Sequence, residues 1–185
     1  MISVRNIKVF ATAGALLVST VGFSVAQAQC ADGIGNPSVP RSAPNQDFLE
    51  TADGTVLHVP SELVWQRCAL GQTWNGASCD GTPQLLSFGE ALQAAASHEQ
   101  ANAQDWRLPN RNELGSIVED RCELPALDSN VFPDAPAGEH WSSSPYTGGS
   151  DEAWAVDFDD GRVAPASIQT FLPVRLVREG RTGRR

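Results

Sequence analysis

Four cysteines decide what this chain can become, because all of them follow a segment that marks it for export. Arg5 and Lys8 make a short positive region, and an apolar run from Val9 to Val25 follows, broken by Gly14, Ser19, Thr20, Gly22 and Ser24. Ala26-Gln27-Ala28 then supplies the small-x-small pattern cut by a signal peptidase, so cleavage after Ala28 is expected. The run is short for a membrane span, which needs about 20 mostly apolar residues. Gln29 stands before Cys30 where a lipid-attachment site has a small residue. The reading is a signal peptide over 1–28 and an exported product, periplasmic or secreted, with no span left after cleavage. In an oxidising compartment Cys30, Cys68, Cys79 and Cys122 make two disulfides, with three pairings open. Cys68 and Cys79 flank "ALGQTWNGAS", where Asn75-Gly76 is turn chemistry that folds the ends together. The predicted pairs are Cys68 with Cys79 and Cys30 with Cys122. No two cysteines have the C-x2-C spacing of a zinc knuckle.

Removing 28 of 185 residues leaves 157, enough for one domain with a real core. Arg5 and Lys8 leave with the leader, so 11 arginines face 22 acids, a formal charge of −11. Such a surface repels nucleic acid and anionic lipid over most of its area. A polyanion would bind only where arginines cluster.

Residues 29–46 are rich in Pro, Gly, Asn and Ser and read as a linker, pinned at one end if Cys30 is bridged. "DFLETADGTVLHVP" reads as two short strands joined by Asp53-Gly54, and "ELVWQRC" as a third that carries Trp65 into the core. At "SFGEALQAAASHEQ", Ser87 and Glu90 have capping-box spacing, with Phe88, Leu92 and Ala95 predicted to share the inner face of a helix. At "DWRLPNRNELGSIVED", Asn110 and Glu113 repeat that spacing, and Leu114, Ile117 and Val118 make the apolar stripe. Pro109 holds Leu108 extended, so Trp106 and Leu108 pack inward. "EHWSSSPY" reads as a strand, and "EAWAVDFDDGRVAPA" as a hairpin turning at Asp160-Gly161. "FLPVRLVRE" alternates Val174 and Leu176 with Arg175 until Val177 breaks the pattern, and closes a sheet. The domain expected is α+β over residues 47–179, followed by a mobile basic tail over 180–185.

"LVWQRCALGQTWNGASC", "DWRLPNRNELGSIVE", "FPDAPAGEHWSSSPY", "AWAVDFDDGRV" and "VRLVR" occur in the order typical of the Lcl C-terminal domain family, and the chain resembles that family over about residues 47–179. The family is a bacterial domain of unknown function, named after a collagen-like adhesin whose terminal domain binds sulfated glycosaminoglycans. "RLP" before a capped helix and the closing "VRLVR" also resemble the formylglycine-generating enzyme and C-type lectin-like folds. The resemblance implies two helices packed on a small twisted, mainly antiparallel sheet with long loops. This chain departs from the adhesin in lacking a Gly-X-Y stalk and in its charge, so glycosaminoglycan binding does not carry over.

Candidate chemistry is weighed against plainer explanations. His58, His98 and His140 are the only histidines, and Ser142, Ser143 and Ser144 follow His140, but no G-x-S-x-G elbow presents a nucleophile. An oxidase of the formylglycine-generating kind needs reactive cysteines near the C-terminal region, and none follows Cys122. Asp157, Asp159 and Asp160 offer oxygens for calcium, yet Asp-Gly is also what a tight turn requires. Arg107 is expected to tie loop carbonyls and a carboxylate such as Glu113. Trp141, Tyr146 and Trp154 are candidate stacking platforms and Arg175 a candidate anion contact, whereas Trp65, Trp106, Arg107, Pro109, Asn110 and Glu113 are structural. A groove is expected between Phe132 and Glu152. The function expected is an exported non-enzymatic binding or adhesion module, without cofactor, that contacts a surface polysaccharide or an envelope protein. The alternatives are an envelope assembly protein without a small ligand, and an uncharacterised hydrolase.

Overall fold

A computed structural model describes residues 30, 35–51, 54–102 and 104–180. The leader, Asp53 and residues 181–185 of the tail lie outside that set. The elements run β1 (Phe48–Glu50), β2 (Thr55–His58), β3 (Leu63–Gln66), β4 (Thr73–Trp74), β5 (Cys79–Asp80), α1 (Phe88–Asn102), α2 (Arg111–Gly115), β6 (Glu139–Pro145), β7 (Glu152–Asp157), β8 (Val163–Ser167) and β9 (Val177–Glu179). They form a mixed α+β domain of antiparallel pairs. One sheet has the order β1-β2-β3-β9, a second is β6-β7-β8, and β4-β5 is a short ribbon. The last strand therefore closes the first sheet, with Trp65 opposite Val177. Beyond it Arg107 exchanges two backbone bonds with Val177 (2.9 and 3.0 Å), so the extended "WRLP" segment continues that sheet.

Strands of both sheets bury residues from both of their faces. Val64, Leu176 and Ala155 point into one apolar cluster, with Trp106, Leu108, Trp141, Ala91 and Ala95. Their neighbours Trp65, Val177 and Val156 point into the other, with Leu114, Ile117, Phe132 and Phe158. This is why Val177 does not break the alternation of its strand. It shares a face with Arg175, and that face is interior as well.

Two local expectations need correction. In α1 the inner face is Phe88, Ala91 and Ala95, while Leu92 is 42% exposed. Two alanines let the helix backbone lie close to the sheet, which a leucine at that position would prevent. Ser87 N–H and Oγ–H both donate to Glu90 Oε2 (2.9 and 2.7 Å), so the serine hydroxyl is a donor to the carboxylate instead of a cap acceptor. By contrast Asn110 and Glu113 make the full reciprocal box: Asn110 Oδ1 accepts from Asn112 and Glu113 N–H, and Glu113 Oε2 accepts from Asn110 N–H.

The segment read as a linker is strapped to the domain. Ala43 is fully buried in the core. Ser42 N–H and Arg121 N–H both donate to Glu119 Oε1, and Arg121 gives two guanidinium bonds to the Val39 carbonyl. The Cys30–Cys122 disulfide fastens the same junction, and the second disulfide joins Cys68 to Cys79. Sequence composition missed the strap because one alanine is its main apolar contact and the rest are a disulfide and polar bonds to Glu119 and Arg121, which leave no hydrophobic pattern.

Candidate functional site

Trp154 lies on β7 opposite Pro165 of β8, half-exposed on the face that α2 covers only in part. The Tyr146 ring stands edge-on to it, with centroids 5.0 Å apart and planes at 89°. The Arg111 guanidinium lies 4.6 Å from the centre of the indole. Gly148 packs against the phenol so closely that a Cβ there would sit 2.4 Å from ring atoms, so a side chain would displace Tyr146.

What places Arg111 is the "WRLPNRNEL" stretch. Arg107 grips both oxygens of Glu113 (2.8 and 2.9 Å) and also reaches Glu179 (2.9 Å). Partial burial works against the charge of Glu113, but the bonds from Arg107 and from Asn110 N–H outweigh it, and its pKa lies below the ordinary carboxylate value. Glu113 in turn fixes Asn110, and Arg111 is the next residue, with its N–H on Ser144 Oγ (3.1 Å). The motif is thus architecture that ends in a presented cation. Sequence reasoning missed Arg111, although its position one residue past a strong cap was a usable signal.

The remaining candidates are not brought to this surface. Trp141 is fully buried, its Nε1–H on the Leu86 carbonyl (2.7 Å) and its ring edge-on to Phe88. Arg175 is fully buried too, donating from Nη1 to the carbonyls of Gln66 and Arg67 and lying over Phe132. Neither meets a ligand from solvent; an arginine in a segment covered on both sides reads in sequence like a surface arginine. Burial lowers the pKa of Arg175 to about 9, which keeps it protonated at neutral pH.

His140 is also fully buried. Its Nδ1 faces the Gly138 carbonyl at 3.0 Å, and a carbonyl only accepts, so Nδ1 carries the proton. Burial first, and the Arg175 charge second, push its pKa down to about 3. Ser142 donates to the Trp154 carbonyl (2.6 Å), where β6 and β7 shift register, and Ser144 Oγ serves Arg111. No histidine–serine–acid set converges at His140 among the described residues. The hairpin acids are likewise engaged: Asp157 accepts from Asp159 N–H and pairs with Arg162, Asp159 accepts from Gly138 N–H, and Asp160 from Arg162 N–H. Among the described residues no group of three or more His, Cys, Asp or Glu side chains is placed to hold a metal ion.

The expected groove between Phe132 and Glu152 is divided by β6: its first part, Phe132 to Ala135, lines a separate cavity of about 250 Å³, and its last part, around Tyr146 and Gly148, belongs to the site above. The family model of the Lcl C-terminal domain matches residues 54–178. The chain belongs to that family. The matched span runs from the residue before β2 to within β9, and it contains Arg111, Tyr146 and Trp154. A comparison with curated proteins finds no match. Within this Lcl C-terminal domain no described helix is long and apolar enough to cross a membrane, and two disulfides suit an oxidising, non-cytoplasmic environment.

Proposed function

We propose that this Lcl C-terminal domain protein is an exported, non-enzymatic contact module that binds a surface glycan through Arg111, Tyr146 and Trp154. The observation that carries the reading is the half-exposed aromatic corner with a guanidinium over its indole. The parts of the Tyr146 and Trp154 rings that stay open to solvent offer apolar contacts to the C–H groups of sugars, and the guanidinium over the indole adds hydrogen-bond donors beside them. The histidine best placed in sequence for hydrolysis is sealed in the core, which supports a module that holds instead of transforms. A C-type lectin-like fold is part of the proposal. It is supported by the N-terminal and C-terminal strands sharing one sheet, the two helices and the long loop between α2 and β6.

A second reading, contact with an envelope protein, is favoured by Leu85 and Phe171. Both are about three-fifths exposed beside the Leu86–Leu172 bridge. A glycan array and a pull-down from envelope extracts, run on the oxidised protein and on Trp154→Ala and Arg111→Ala, test both. Glycan signal that falls about tenfold or more in the two variants supports the proposal. Signal unchanged by Trp154→Ala overturns it, and capture lost only on Leu85→Ser and Phe171→Ser selects the protein reading.

A further inference from the structure

A cleft of about 220 Å³ opens where the ends of β2 and β3 meet the β4–β5 ribbon and α1. Its polar lining is Thr55, Gln66, Gln72, Thr73 and His98, and Trp74 forms an apolar wall. Among the described residues no Asp, Glu, Arg or Lys lines it, in a chain with 22 acids. At roughly 30 Å³ per water the space holds about seven waters, the size of one small ring and below the usual range of pockets for larger ligands.

The walls are fixed independently of any ligand. Cys68–Cys79 ties the ribbon to the end of β3. Gly54, at φ +76°, lies so close to Trp74 that a Cβ would be 2.6 Å from the indole. The Arg67 guanidinium lies 4.2 Å from the centre of the Trp74 indole, a second contact that holds the ring. Gln66 Nε2 and His98 Nε2 are 2.7 Å apart. An amide nitrogen only donates, so the imidazole accepts there, and the Gln66 amide oxygen is left to accept from a ligand. Burial lowers the pKa of His98, which keeps the ring neutral at pH 7.

From this lining we infer a second binding site, for one neutral sugar ring. A zwitterion or a carboxylate would meet no opposite charge among the described lining residues, and Arg67, over Trp74, is already engaged by Glu50 and by the Asn130 and Val131 carbonyls. A purely apolar ligand would strand amides and hydroxyls that have lost water. A pyranose satisfies both demands, with hydroxyls for Gln66 and Thr73 and C–H groups against the part of Trp74 that lines the cleft. The site shares no residue with the Arg111–Tyr146–Trp154 surface. It rests on the contact-module reading only for the class of ligand.

The test is a titration of the oxidised protein, following the Trp74 indole N–H by NMR. The probes are the methyl glycosides of glucose, galactose, mannose and N-acetylglucosamine, with methyl glucuronide as the charged control. At least one neutral glycoside should shift the signal saturably, with a Kd of about 1–10 mM. Gln66→Leu should weaken it about tenfold, and Thr73→Phe, at an exposed position that fills the cleft without touching the core, should do the same. Trp154→Ala, which removes the other surface, should leave it unchanged. No saturable shift with any of the four at about 50 mM overturns the inference. So does equal binding of the glucuronide, or binding that survives both cleft variants.

Discussion

Replacing Glu113 with alanine removes a cap and an ion pair together, and the structure lets the cost be worked out. The carboxylate accepts Asn110 N–H at 2.7 Å, and loss of a helix cap costs about 1 kcal/mol. It also holds Arg107 through two parallel bonds of 2.8 and 2.9 Å. Arg107 is 39% exposed, so the value for a well-formed exposed pair applies, about 1 kcal/mol. The sum, about 2 kcal/mol, corresponds to a fall in Tm of about 4–8 °C for a domain of this size. A double-mutant cycle with Arg107→Ala should return about 1 kcal/mol of coupling. The sign with pH follows from the lowered pKa of Glu113. Its stabilisation is full above the unfolded value of 4.5 and is lost as pH falls through the lower folded value. Urea denaturation at pH 7 and at pH 3 should therefore show the variant and the wild type closer together in acid. A coupling below about 0.3 kcal/mol, or an equal gap at both pH values, would refute the view that this pair organises the start of α2.

His140 should make the protein acid-sensitive. The unfolded chain takes up a proton near 6.5 and the folded ring only near 3, so stability falls as pH drops through that window. His140→Asn, which keeps a donor for the Gly138 carbonyl, should flatten the slope of unfolding free energy against pH between 6 and 4 by about one proton; an unchanged slope would assign the proton elsewhere. Deleting the disulfides singly should cost unequal amounts. The separations of 11 and 92 residues correspond to about 3 kcal/mol for Cys68–Cys79 and about 4.6 kcal/mol for Cys30–Cys122 by loop-closure entropy, and the order reversed in chemical denaturation would contradict that account. Gly54→Ala should cost about 1–3 kcal/mol by thermal melting and alter Trp74 fluorescence, because it combines a left-handed backbone with a Cβ placed against the indole. A neutral effect would mean that the wall of the cleft gives way.

Local chemistry determined a good deal of this protein before any coordinates. The reciprocal cap at Asn110 and Glu113, the Asn75-Gly76 turn inside the small disulfide ring and the Asp160-Gly161 hairpin each depend on residues within a few positions of one another, so their signals survive in a linear reading. The choice of Tyr146 and Trp154 as candidates came from residue type alone. Their meeting with Arg111 was decided by the register of β6 and β7 and by the docking of α2, which are non-local. Trp141 and Arg175 look in sequence like presented groups and lie in the core, because a strand covered on both faces has no solvent side and periodicity cannot say how many faces are covered. The strap at residues 35–47 and the neutral cleft at Gln66 and Trp74 were illegible for a related reason. Backbone carbonyls, one alanine and a few polar side chains acquire meaning only when distant segments are packed together, since it is exclusion of water from both sides that turns them into contacts.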